Sequence, residues 1–178
     1  GELGPELDSF GMENHLYQGS STIDKRLNWK FANDTFGETY HFAKLHKDTL
    51  GRIFYGNNLH FKEFGRHHRF VTASRGIDKL RQMPESEWEI HHGTFVLYHL
   101  FPNIQLVVGP HTTTLIRIYP HEEGPNRSVT KISFYYSQVA MDYAAEQNVN
   151  SDEIDVYDPD SRDAGPTLEG SREVFRST

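Results

Sequence analysis

Four closely spaced segments rich in β-branched and aromatic residues restrict the possible folds more than any other feature of this sequence. The segments are residues 93–101, 104–109, 112–120 and 128–136. Residues of these types favour extended strands, and Gly109-Pro110 and the HEEGPNR sequence at 121–127 separate them as turns. Because such short links leave no room for a crossover helix, consecutive strands pair antiparallel. The sequence therefore predicts an antiparallel meander.

A helix is predicted ahead of these strands, over the segment NDTFGETYHFAKLHK at residues 33–47. Thr35 and Glu38 have the spacing of a capping box, in which a hydroxyl and a carboxylate satisfy free backbone N–H groups. Asn33 or Asp34 is an alternative cap. A helical part followed by an antiparallel sheet predicts an α+β fold, with the helices segregated against one face of the sheet.

Other parts of the chain have weaker patterns. Residues 1–26 are polar and irregular, and we expect a leading segment without regular structure. Residues 52–72 mix aromatic residues with basic turns and give no assignment. A helical turn is predicted at 139–147, and a solvated acidic loop at 146–163.

Charge and composition exclude several classes of function. The acidic loop contains seven acids and one base, so it supplies six of the seven net negative charges of the chain. The remainder is close to neutral and has no basic footprint for nucleic acid. No apolar run is long enough to span a membrane. The absence of cysteine excludes disulfides within the chain. The N-terminal residues show no signal peptide pattern, and we therefore expect a cytoplasmic location.

Histidine is frequent, with eleven in the chain, and it is the commonest metal ligand in proteins. His41 and His46 lie in the predicted helix, five residues apart. On a straight helix this spacing turns the two imidazoles about 140° from one another, so they converge only where the helix ends or bends. Glu38 precedes His41 by three residues and is placed to hold its ring N–H. By spacing alone, such a pair is more often core or surface than metal ligand.

Three stretches resemble the alpha subunits of Rieske ring-hydroxylating oxygenases. The first contains Asn-Trp-Lys at 28–30, followed by acid-x-x-His-x-x-x-x-His at 38–46. The second is His-Leu-Phe-Pro-Asn at 99–103, and the third, looser match comprises LIRIYP followed by ISFYY. The three occur in the order found in the family. The resemblance covers roughly residues 20–140.

The resemblance implies a helix-grip fold (START/Bet v 1-like), in which an antiparallel sheet folds around a long helix. It also implies a mononuclear Fe(II) centre with a 2-His-1-carboxylate ligand set, which leaves positions open for O₂. His41 and His46 match the two histidine positions. Glu38 matches the acid that in this family bridges the iron to a Rieske cluster on the neighbouring subunit. Asp34 lies where many members have Asn close to the iron.

The substrate pocket implied by the resemblance is lined by the inner face of the sheet. The expected pocket residues are Phe36, Phe42, His99, Phe101 and Asn103. Most of the remaining histidines are expected at the surface or in turns: His67, His68, His91, His92, His111 and His121.

Two parts of the family's catalytic machinery are expected outside this chain. A Rieske [2Fe–2S] cluster needs Cys and His ligands, so the cysteine-free residues 1–178 cannot contain that N-terminal domain. The carboxylate ligand of the family is an Asp that follows a strand, and the segment 171–178 resembles the beginning of that strand. Residues 1–178 are therefore expected to be a single, incomplete catalytic domain.

The activity implied is that of a terminal oxygenase of the ring-hydroxylating dioxygenase class. It would use Fe(II) and O₂ to hydroxylate or demethylate an aromatic or other small organic substrate, as in aromatic hydrocarbon catabolism. Electrons would come from NAD(P)H through a reductase or ferredoxin and the Rieske cluster. A homotrimer is implied, with or without beta subunits, because the cluster and iron of one chain are far apart in this family.

Two other classes of protein are alternatives. A helix-grip domain can bind a hydrophobic small ligand without any metal, but such a carrier has no need of His41 and His46. A zinc hydrolase is the second alternative, and the five-residue spacing without an intervening Glu disfavours it.

Overall fold

The computed structural model describes residues 1–146, which form a seven-stranded antiparallel sheet with the order β1-β7-β6-β5-β4-β3-β2. The strands are β1 (His15–Lys25), β2 (Phe54–Phe64), β3 (His67–Ser74), β4 (Thr94–Leu100), β5 (Ile104–Val108), β6 (Thr112–His121) and β7 (Gly124–Ser137). The α-helices are α1 (Leu3–Asp8), α2 (Trp29–Asp34), α3 (Leu50–Ile53), α4 (Ile77–Leu80) and α5 (Gln138–Glu146). Short 3₁₀ turns occupy Met12–Asn14, Thr35–Gly37, Tyr40–Ala43, Glu85–Glu87 and Ile90–Gly93.

The predicted meander is confirmed, since strands β4 to β7 overlap the predicted segments and pair in order. The predicted turn at 121–127 is too long, because β7 already begins at Gly124. The α+β class is confirmed with the meander, but the prediction that the helices lie against one face is wrong, because helices pack on both faces of the sheet. The helical turn predicted at 139–147 is α5, which has nine residues and is the longest helix within residues 1–146. The predicted acidic loop at 146–163 and the strand-like segment at 171–178 fall, apart from residue 146, outside the described residues.

The prediction for residues 1–26 is wrong, because this segment contains α1 and the eleven-residue strand β1. β1 pairs with β7 and closes one edge of the sheet. The unassigned residues 52–72 form most of the hairpin β2–β3 at the opposite edge. Gly65 in the hairpin turn has a φ of 67°, a backbone conformation that favours glycine. No residue of β1 is buried, and Phe54 is the one buried residue of β2. The apolar pattern that marks the central strands is therefore absent from both edge strands, and sequence reasoning missed them.

The prediction of a helix over 33–47 is also wrong. Helix α2 begins earlier, and its cap is Asn28, whose side chain accepts a hydrogen bond from the backbone N–H of Lys30 at 2.9 Å. The Thr35 hydroxyl donates to the carbonyl of Ala32 at 2.8 Å instead of capping a later helix. Glu38 is extended, with φ −148° and ψ 164°. Short polar residues compete for backbone hydrogen bonds, and glycine disfavours helix, so the segment breaks into turns.

The sheet has two differently covered faces. The inner face packs α2 against β6 and β7, and its buried cluster is Ile116, Ile118, Ile132, Phe134, Tyr136 and Ala140. The outer face packs α1 against the other side of the sheet, around buried Tyr98, Leu106 and Val108. On this face Glu6 accepts hydrogen bonds from Arg69 at 2.6 Å and from the Tyr98 hydroxyl at 2.7 Å.

Register places further residues on the inner face, since directly paired residues share a face. One cross-strand row runs through His68, His99, Gln105 and Ile116, and a neighbouring row runs through Phe70, Leu97 and Val107. In residues 1–146 we find no helix that is long and apolar enough to cross a membrane.

Candidate metal centre

His41 and His46 come together because the chain between them turns tightly. The carbonyl of His41 accepts backbone hydrogen bonds from Lys44 at 3.0 Å, from Leu45 at 2.7 Å and from His46 at 3.3 Å. The two imidazole centroids are 5.3 Å apart, with ring planes at 66°. The divergence expected on a straight helix therefore does not arise.

Glu38 holds His41 at two points. One carboxylate oxygen contacts Nδ1 of the ring, and the other accepts the backbone N–H of His41 at 3.3 Å. The extended backbone of Glu38 makes this double contact possible. A carboxylate at Nδ1 favours the tautomer with the proton on that nitrogen, which leaves the lone pair on Nε2. The predicted relation between Glu38 and His41 is thus present in the structure.

His46 is the more buried of the pair, with 3% of its surface exposed. Burial, and then the neighbouring His41, hold the pKa of His46 below its ordinary value. Its imidazole is therefore neutral at neutral pH, which is the form that binds metal ions.

Two glycines allow the histidine segment to lie close against its neighbours. A Cβ at Gly51 would lie 2.6 Å from the carbonyl oxygen of Phe42, and one at Gly56 would lie 2.8 Å from that of Thr39. Gly51 donates its N–H to the carbonyl of His46 at 2.8 Å. The buried Thr39 hydroxyl donates to the carbonyl of Gly56 at 2.9 Å. Sequence reasoning missed these roles because they depend on approaches made only in three dimensions.

An aromatic wall, formed by Phe42, Phe54, Phe95 and Phe70, connects the histidine pair to the sheet. The ring of Phe42 lies 4.9 Å from His41 and 6.1 Å from Phe54. Phe54 lies 4.8 Å from Phe95, and Phe95 lies 6.0 Å from Phe70 on the inner face. Phe42 was predicted as a pocket residue, whereas Phe54 was missed within the unassigned segment.

His99 lies on the inner face in a polar network. The buried Gln105 amide donates to Nδ1 of His99 and to the side-chain oxygen of Asn33, both at 2.8 Å. His99 stacks on His68, with centroids 4.7 Å apart and planes at 17°. Burial lowers the pKa of both imidazoles. Asp34 is exposed at the end of α2, so its neighbour Asn33 occupies the inward position.

The other predicted pocket residues lie in two places: Phe36 lies beside the inner-face cluster, whereas Phe101 and Asn103 share the β4–β5 turn. Phe36 packs against the inner-face cluster. Phe101 is about half exposed at the β4–β5 turn, where the Arg66 guanidinium lies 5.0 Å from its ring centroid. Asn103 donates to the carbonyl of Ile118 at 2.8 Å, which pins the same turn to β6. The structure thus gives Phe101 and Asn103 contacts at a turn of the sheet, and none of these contacts involves the histidine pair.

The remaining histidines divide into two groups. His91 and His92 lie exposed in a turn, as predicted. His68 differs from its prediction, because it is half-buried on the inner face. His67, His111 and His121 also differ from their predictions, because they are partly buried.

Comparisons with known proteins identify the family and the fold of the chain. A family model described as the ring-hydroxylating alpha subunit (catalytic domain) matches residues 12–161. A solved quaternary ammonium Rieske monooxygenase, from work on carnitine oxidation by gut microbiota, has 14% identity and a TM-score of 0.62 over 97% of this chain and 40% of that chain. Naphthalene 1,2-dioxygenase from Rhodococcus sp., bound to indole, has 18% identity and a TM-score of 0.56 over 82% and 41%. No match was found among curated proteins.

These likenesses fix the fold and the family. The structural neighbours share the sheet architecture at low identity, and this confirms the helix-grip fold. The chain spans less than half of either solved protein, 40% and 41% of their lengths. The family model, by contrast, covers most of the chain and includes every residue of the candidate centre. The chain belongs to the family of ring-hydroxylating alpha subunits, within their catalytic domain.

Proposed function

We propose that this chain is the iron-binding catalytic domain of a terminal oxygenase, in which His41 and His46 hold Fe(II). One observation supports this most directly: a turn of non-helical backbone brings the two imidazoles together, with Glu38 at Nδ1 of one ring. The metal-free carrier is not favoured, because the family that matches is an oxygenase family.

The pair fits a shared metal ion. Two imidazoles bound through ring nitrogens at about 2.1 Å from one metal have centroids about 5 Å apart, and those of His41 and His46 are 5.3 Å apart. His46 is neutral by burial, and His41 is oriented by a carboxylate. Two neutral imidazoles with a third, carboxylate ligand are the donor set typical of non-haem Fe(II). We propose an Asp outside the described residues as that third ligand.

The residues around the pair have separable tasks in this proposal. When bound at His41 and His46, Fe(II) would supply the activation of O₂. Glu38 keeps the proton of His41 on Nδ1 and so keeps Nε2 available for the metal. Phe42 and Phe54 exclude water from the sheet side of the pair. The carboxylate of Glu38 is 30% exposed, so it also remains accessible to a partner that delivers electrons.

The substrate and partners follow from the family. We propose that the enzyme hydroxylates or demethylates an aromatic or other small organic molecule held against the aromatic inner face. Electrons would pass from NAD(P)H through a reductase or ferredoxin and a Rieske [2Fe–2S] cluster, and Glu38 would relay them from a neighbouring subunit of a homotrimer, with or without beta subunits. The two solved relatives differ in substrate, one being a quaternary ammonium monooxygenase and the other naphthalene 1,2-dioxygenase.

Anomalous diffraction on both sides of the iron absorption edge tests the ligands. Crystals of the chain loaded anaerobically with Fe(II) should show a peak between His41 and His46 only above the edge. The His41→Ala variant should lose the peak, whereas His60→Ala, at an exposed position on β2, should keep it. Absence of a peak in the wild-type crystals would overturn the ligand assignment, and a peak at the zinc edge alone would overturn the oxygenase mechanism.

A further inference from the structure

A second group of metal-ligand side chains lies on the surface, in the turn that leads into β4. Glu89, His91 and His92 place one carboxylate oxygen and two imidazole nitrogens within 4.8 Å of one another. Oε2 of Glu89 lies 2.8 Å from Nε2 of His92 and 3.5 Å from Nε2 of His91. The two imidazole centroids are 4.1 Å apart. One carboxylate oxygen thus faces both rings.

The backbone that presents these side chains is held on several sides. The buried Ser74 hydroxyl donates to the carbonyl of His92 at 2.9 Å, and the N–H of His92 donates to the carbonyl of Glu89 at 3.0 Å. The following residue, Gly93, lies so close to α4 that a Cβ there would be 2.8 Å from a methyl group of Leu80. The turn is therefore fixed before any ligand binds, which lowers the entropic cost of binding.

We propose that Glu89, His91 and His92 form a second metal site, for a divalent transition ion such as Zn²⁺. Ligand atoms about 2.0–2.2 Å from one tetrahedral zinc ion lie about 3.3–3.6 Å from each other. The 3.5 Å between Glu89 and His91 matches this range. The 2.8 Å contact between Glu89 and His92 is a hydrogen bond, which would lengthen by about half an ångström when zinc replaces its proton. Two imidazoles with one carboxylate favour zinc, nickel or copper over Ca²⁺ and Mg²⁺, which take oxygen ligands. Solvent reaches the turn, so water fills the remaining position.

This site is separate from the candidate centre at His41 and His46 and does not depend on the proposed function. The two share no residue. They are joined through the sheet, because Ser74, which holds the turn, pairs with Phe54 of the aromatic wall. Zinc bound in the turn would therefore stabilise the paired ends of β2 and β3, where Phe54 lies.

The test is a titration of the whole chain with ZnCl₂ against a chromophoric chelator, which gives the number and affinity of bound ions. We expect the exposed triple variant E89Q/H91A/H92A to lose one zinc equivalent, or to bind it at least about tenfold more weakly. The matched control E87Q/H60A removes an exposed acid and an exposed histidine elsewhere, and it should bind as the wild type does. An unchanged titration in the triple variant would overturn the proposal.

Zinc-edge anomalous diffraction from soaked crystals locates the ion independently. A peak enclosed by Glu89, His91 and His92 supports the site. A peak only between His41 and His46 overturns it while leaving the candidate centre intact. A peak only at Glu89, His91 and His92 supports the second site and says nothing against Fe(II) binding at His41 and His46, which the iron-edge experiment tests, so the two proposals fail separately.

Discussion

Two pairs of neighbouring histidines in this structure are held by different kinds of backbone. His41 and His46 belong to an irregular segment, with ring planes tilted at 66° and a carboxylate on one ring. His68 and His99 belong to paired strands, with planes at 17° and a neutral amide as partner. Strand register stacks the second pair flat, whereas a tight turn brings the first pair together. The comparison indicates that irregular backbone, supported by a regular sheet, can bring two imidazoles together at a steep angle.

Phe54 connects the two regions, and its truncation should have the largest effect. Its buried ring touches Phe42 of the histidine segment and Phe95 of the sheet. We expect Phe54→Ala to lower the free energy of unfolding by about 3–5 kcal/mol, measured by urea denaturation. Phe31→Ala is the control, because Phe31 is exposed and should change stability by less than about 0.5 kcal/mol. A loss below about 1 kcal/mol in Phe54→Ala would show that the aromatic wall does not couple the regions.

Gly51→Ala should disturb the irregular region and leave the sheet intact. The added Cβ would lie 2.6 Å from the carbonyl oxygen of Phe42, and such overpacking costs about 1–3 kcal/mol. Hydrogen exchange should quicken in residues 39–54, while the amides of β4 to β7 keep their protection. Gly4→Ala is the control, since a Cβ there meets nothing within 4 Å. Equal loss of protection across the sheet would contradict the separation of the two regions.

The sequence predicts the strands of the sheet well and the histidine segment poorly. β4 to β7 were predictable because apolar and aromatic residues recur at the spacing of strands, as in the alternation of Ile132, Phe134 and Tyr136. The prediction of a helix for the histidine segment is wrong because the local residue pattern resembles that of a helix. The contacts that fix the backbone of this segment are made with residues far away in the sequence. Gly56 meets Thr39 seventeen residues away, and no local rule encodes that approach. His41 and His46 are predicted as metal ligands through resemblance to a family, and their spacing alone does not predict this.

Carboxylates beside the two pairs should differ in their effect on iron binding. Glu38 contacts His41, so Glu38→Gln should weaken Fe(II) binding by about 10- to 100-fold, as the loss of a ligand-orienting partner typically does. Glu63 lies directly across from His68 on the neighbouring strand, and Glu63→Gln should leave Fe(II) binding unchanged. Anaerobic competition with a chromophoric chelator measures both affinities. Equal affinities in the two variants would contradict the orienting role of Glu38.

The smallest effect should come from protonating the stacked pair. Burial, and then His99, lower the pKa of His68, against a smaller opposing effect of Glu63. His68 therefore takes up a proton at a higher pH in the unfolded chain than in the folded chain. The folded state is fully stabilised above about pH 6.5, and this stabilisation is lost as the pH falls below that value. His68→Gln should make the free energy of unfolding less dependent on pH between 8 and 5.5, whereas exposed His60→Gln should not. Some dependence should remain in His68→Gln, because burial also lowers the pKa of His46 and His99. An identical pH profile in the wild type and His68→Gln would mean that the stack does not select the neutral imidazole.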